Sequence, residues 1–155
     1  MQPTLPVILL SILAALLLLA AVRDIGSRQI PNWLTAVIAL LAVPFWLSAG
    51  LPLWPDMAVR VGVAAGLFAA FAAIFYLGAM GGGDVKLIAA VALWLPPLAV
   101  LHLLAIMAIA GGVLTVFMVA RARIARSGTP EIPYGVAIAG AAMWLIAEPI
   151  FNHFA

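Results

Sequence analysis

The 155-residue chain contains no cysteine. That excludes disulfides, thiolate nucleophiles and cysteine-ligated zinc, and it leaves the redox compartment unreadable. Charge is scarce too: seven Lys and Arg and five Asp and Glu make up 8% of the residues, against about 25% in an ordinary soluble domain. Long polar stretches are also missing. Hydrophobic residues account for 68% of the chain and mean hydropathy is +1.29. The pI of about 9.7 would suit a nucleic-acid binder, but the few basic residues are scattered between apolar runs and read as topology signals instead. No extramembrane domain and no convincing tandem repeat is present. What remains is a polytopic membrane protein in contact with a lipid bilayer. Its size suits a single membrane-embedded domain over residues 1–155.

The apolar runs come in order. Leu5 to Val22 has no Lys or Arg before it, is long for a signal-peptide core, and is followed by more runs, so it reads as a retained first helix. It ends in the polar loop Arg23-Asp24-Ile25-Gly26-Ser27-Arg28-Gln29. Ile30-Pro31-Asn32 opens the second run, to about Ser48, with Pro where a helix start tolerates it. The third runs from about Met57 to Met80 and carries Gly62 and Gly66 among alanines. That spacing suits close packing inside the bundle, with a dimer face, and hence a homo-oligomer, as the alternative.

Met80-Gly81-Gly82-Gly83-Asp84-Val85-Lys86-Leu87 then breaks the apolar pattern. Val85 to Leu95 covers about half a hydrocarbon core before Pro96-Pro97 stops the helix. Leu98 to Ala120 is long enough to span. After the polar segment from Arg121 to Glu131, Ile132-Pro133-Tyr134-Gly135 opens a last run to about Phe151. The expected fold is an all-α polytopic membrane protein of about six transmembrane helices, the fourth short, with a Gly-rich loop before it.

Arg23 and Arg28, Lys86, and Arg121, Arg123 and Arg126 lie in or beside alternate loops, and Arg60 is the exception. The positive-inside rule makes those loops cytoplasmic, which puts Asp24 and Asp84 on one face of the membrane. Either Asp alone reads equally well as a solvated helix-end charge. Together, one of them beside three glycines, they point to a pair sharing one proton. The ionised member takes a proton from water, which attacks a peptide carbonyl, and the protonated member donates to the carbonyl oxygen. Such a site needs no cofactor and no metal. The macrodipole at a helix start favours Asp84 as the carboxylate, leaving Asp24 as the acid.

Gly81-x-Gly83-Asp84 resembles the G-x-G-D signature of membrane aspartyl proteases, and Gly82-Gly83-Asp84-Val85-Lys86-Leu87 looks like the type IV prepilin peptidase family. Asp24 followed by Ile30-Pro31-Asn32 is similar to that family's first catalytic motif. Ile132-Pro133-Tyr134-Gly135-Val136-Ala137-Ile138-Ala139 resembles its small tight-adherence (CpaA/TadV-like) branch. The resemblance implies Asp24 and Asp84 as catalytic residues. The implied substrate is a type IV-like prepilin of Flp type, with a basic leader before an apolar helix. The implied place is the cytoplasmic side of a bacterial inner membrane. Larger members add a region with cysteine pairs that methylates the new N-terminus. This sequence shows neither, so a separate methyltransferase region is not expected.

Gly81 and Gly83 would let a substrate backbone approach closely. Lys86 would orient substrate or tune the pair, or else snorkel at the interface. Tyr134 would line the site by its place in the matched motif. His102 reads as a buried hydrogen-bonding histidine, and Trp33, Trp46, Trp54 and Trp94 read as interface anchors. Glu148 falls at the far end of the last run. Other classes are a non-catalytic subunit of a pilus or secretion assembly, which leaves the two aspartates unexplained, and a small carrier, which would need midplane charges and an inverted repeat. An oxygen-ligated metal between the two carboxylates is a third alternative.

Overall fold

The computed structural model describes residues 4–124 and 132–154, with side chains through residue 147. Among these are six α-helices: α1 (Leu5–Ser27), α2 (Asn32–Ser48), α3 (Ala58–Tyr76), α4 (Gly82–Ala92), α5 (Pro97–Ile124) and α6 (Tyr134–Phe154). Three segments, Leu5–Ser27, Leu53–Tyr76 and Pro97–Ile124, are long and apolar enough to cross a bilayer. Asn32–Ser48 and Tyr134–Ala147 are shorter apolar helices. Leu18, Leu40, Ile109, Phe117 and Trp144 all project from the exposed surface. A surface of that kind needs lipid, not water, against it. The protein is a multi-helix membrane protein. The segment from Ala125 to Glu131, with Arg126, and the side chain of Glu148 lie outside the described residues.

Local chemistry sets the helix ends that matter. α1 closes with Arg28 in the left-handed region at φ 55, its N–H donating to Asp24 O at 3.1 Å. This αL cap turns the chain immediately after Asp24. Pro31, in extended geometry, is the N-cap of α2. Gly81 is the N-cap of α4 and Gly82 and Gly83 already lie in its first turn. The expected glycine loop is therefore shorter than the sequence suggested, and the helix starts three residues earlier than Val85.

α4 is the central element. It packs against α2, α3 and α6, while α1 lies against α2 and α6 and α5 lies against α6. Leu87, Ile88 and Val91 of α4 meet a core that includes Leu13, Leu17, Leu34, Ile38 and Ile138, all fully buried.

A helix of 11 residues is about 16 Å long, and Pro96 and Pro97 offer no N–H beyond its end. The freed carbonyls need donors. Trp46 Nε1 donates to Leu93 O at 2.8 Å and Arg60 Nη1 to Trp94 O at 2.7 Å. Trp94 in turn donates from Nε1 to Ile38 O at 2.9 Å, and its ring stacks on Phe45. Trp46 and Trp94 are thus buried donors, not interface anchors; Trp33 and Trp54 are exposed. Arg60 closes the end of α4.

Two further expectations change. Gly62 and Gly66 face outward, with nothing within 4 Å of a Cβ built on either. They do not mediate packing within the bundle. His102 lies on the exposed face of α5, not buried.

Candidate active site

Asp24 is in the last turn of α1 and Asp84 in the first turn of α4. Both are buried, with 5% and 8% of their surface exposed. Buried carboxyls are costly unless partnered or protonated. The two line one cavity of about 580 Å³, together with Arg28, Ile30, Asn32, Gly81 and Gly83. The structure thus brings together the two aspartates that the sequence pairs. The tight turn at Arg28 and the start of α4 face each other across this cavity.

Glycines make the approach close enough. A Cβ on Gly83 would lie 3.1 Å from Ile30 Cβ, so α4 rests its first turn directly on the loop after α1. A Cβ on Gly81 would come 3.0 Å from Asp84 Oδ2, so the bare backbone leaves room for that carboxyl. Lys86 is elsewhere. Its Nζ donates to Asn32 Oδ1 at 2.7 Å, and it lines a neighbouring apolar groove with Ala36, Ala39 and Ala90. It ties α4 to the first turn of α2, and only Asn32 of this pair reaches the cavity. Tyr134 does not line the cavity either. It lies between α5 and α6, its ring against Gly111 and its hydroxyl 3.4 Å from that of Thr115.

The first turn of α6 reaches the site through Gly135 and Val136, not through Tyr134, which the sequence reading expected to line it. The backbone N–H groups of Val136 and Gly135 face the Asp24 carboxyl, and the Arg28 guanidinium acts on it as a charge of opposite sign. Among the described residues Asp24 Oδ2 has no hydrogen-bond partner. The sequence signal for this turn is Ile132-Pro133-Tyr134-Gly135, a motif that is silent about which helix it meets.

Asp84 lies outside the three spanning segments. Burial, and then the nearby Asp24 charge, push its carboxyl up to about 7, with the Gly81 N–H working in the opposite direction. Burial and like charge thus keep the Asp84 carboxyl well above the ordinary carboxylate range, against the helix-start effect.

Two buried carboxyls, one from the end of α1 and one from the start of α4, thus open onto one cavity. The model of the Type IV leader peptidase family matches residues 11–116, a stretch that contains both aspartates. The chain belongs to the Type IV leader peptidase family. No curated protein and no solved structure matches it. Type IV leader peptidases are aspartic prepilin peptidases, so this chain is a hydrolase with prepilin leader peptidase activity. The matched stretch ends within α5, so the α6 turn that faces Asp24 lies beyond it.

Proposed function

We propose that Asp24 and Asp84 are the catalytic pair of this leader peptidase and that its substrates are Flp-type prepilins. The observation that carries the reading is the shared cavity, in which two buried carboxyls from α1 and α4 act on one another. Asp84 enters the cycle protonated and Asp24 ionised, beside Arg28 and the start of α6. Asp24 removes a proton from water as the water oxygen attacks the scissile carbonyl carbon. Asp84 gives its proton to the carbonyl oxygen. Collapse of the tetrahedral adduct breaks the C–N bond: the proton held on Asp24 goes to the leaving amine, and one hydroxyl of the adduct returns its proton to Asp84, leaving the new carboxylic acid. Gly81 and Gly83 hold substrate backbone by offering a wall without side chains. Lys86 positions the site through Asn32.

Arg23 and Arg28 on the cavity wall, with Lys86 one turn along α4, support six membrane crossings with the cavity on the cytoplasmic side of an inner membrane. The motif at Ile132 to Ala139 supports the small tight-adherence branch, and hence Flp-type substrates.

The test is co-expression with a small Flp-type prepilin. The expected result is a pilin shortened by its basic leader with wild-type peptidase and full-length with Asp84→Asn. A Flp-type prepilin left uncut by wild type, beside another type IV-like prepilin that is cut, would remove the substrate assignment and keep the peptidase.

A further inference from the structure

We infer that Gly135 is a positioning residue for Asp24: the first turn of α6 is held against the carboxyl by a contact that leaves no room for a side chain. The inference rests on the catalytic pairing of Asp24 and Asp84. A Cβ built on Gly135 falls 2.8 Å from Asp24 Oδ2 and 2.9 Å from its Cγ. The same Cβ falls 2.8 Å from Ile30 Cδ1. None of these distances is tolerated by a real methyl group, so either the carboxyl or the helix must move.

Two facts separate this from ordinary close packing. Asp24 is 5% exposed, and its Oδ2 has no hydrogen-bond partner among the described residues. It is aimed at the start of a helix, where N–H groups lack intrahelical partners. With no hydrogen bond to hold Oδ2, its place is set by the close approach of the Gly135 backbone. The charged groups around Asp24 are Arg28 at the end of its own helix, Arg23 on the cavity wall and Asp84 across it.

α6 is itself seated by a second glycine. A Cβ on Gly111 would lie 3.2 Å from the Tyr134 ring. Because α5 has no side chain there, the Tyr134 ring can come close to it, and the next residue, Gly135, reaches Asp24. α5 and α6 thereby act on the site without contributing a group to the chemistry. The Tyr134 contact has a use in this arrangement that a cavity-lining role would not give it.

The experiment compares Gly135→Ala with Gly140→Ala, which sits on the same helix with nothing within 4 Å of its Cβ. Both are measured as full-length protein in detergent on a prepilin peptide. The expected result for Gly135→Ala is a kcat lower by on the order of 10²-fold, the scale set by small misplacements of a reacting group, with KM and thermal midpoint close to those of Gly140→Ala. Gly135→Ala with Ile30→Val removes the Cδ1 clash and keeps the clash with the carboxyl. Its kcat should stay low relative to Ile30→Val alone. Full recovery in the double variant would overturn the inference, since the defect would then be packing against Ile30. Wild-type kcat in Gly135→Ala would overturn it too, while loss of cleavage in Asp24→Asn in the same assay would leave the catalytic pairing intact. Loss of folded protein in Gly135→Ala, cured by Ile30→Val with kcat still low, would support it.

Discussion

Among single residues, Asp84 carries the pH dependence. Its carboxyl is pushed up to about 7 by burial and by Asp24, and the proposed mechanism uses its proton. Cleavage should therefore fall as pH rises through about 7, which a rate profile between pH about 5 and about 9 would read. Stability has the same sign. A carboxyl with a folded pKa raised above about 4 stabilises fully only below that value, and the contribution is lost as pH rises through about 7. Asp84→Asn should raise the thermal midpoint in detergent, more at pH about 8 than at pH about 5. The sequence made the pairing of Asp24 and Asp84 legible because the basic loops put both on one face. It could not weigh burial against the helix start, because burial is a property of the packed bundle and the helix-start argument sees only local geometry.

For the elements, α4 decides most. Its brevity was legible from Pro96-Pro97, but the means of ending it inside a bundle was not. Trp46 and Trp94 have the composition of interface anchors, and only the crossing of α2 with α4 turns them into buried donors. Trp46→Phe keeps the ring and removes the N–H bonded to Leu93 O. A buried carbonyl left unpaired costs about 1–3 kcal/mol, so the thermal midpoint should drop, with a larger drop when Arg60→Ala is added. The start of α4 fails differently. Gly83→Ala presses on Ile30, which lies 3.1 Å from the added Cβ. That variant should accumulate in the membrane and cleave slowly. Gly62→Ala and Gly66→Ala meet nothing. They should leave cleavage unchanged and, through helix propensity, gain up to about 1 kcal/mol each. The Gly62-x-x-x-Gly66 spacing pointed to packing because small residues permit it, yet permission is not contact.

Across the whole molecule, the alternation of apolar runs fixed the number and order of helices, since in lipid a chain can bury its backbone in few ways. The neighbours of α6 were beyond the sequence, because Gly135 and Asp24 are brought together by the fold and not by any local pattern. Orientation is tested on this cysteine-free chain by single cysteines and a membrane-impermeant thiol reagent. Leu53→Cys should label from outside intact cells and Ser27→Cys should not. External labelling of Ser27→Cys would invert the topology.

The central claim is that two carboxyls work as one unit. Its most direct measurement is the leader-cleavage rate of Asp24→Asn, Asp84→Asn and the double variant, at equal amounts of protein in the membrane. Each single substitution should nearly abolish cleavage, and the double should be scarcely slower than either one, because members of one catalytic unit give non-additive losses. Wild-type rates in either single variant, or losses that multiply in the double, would contradict it.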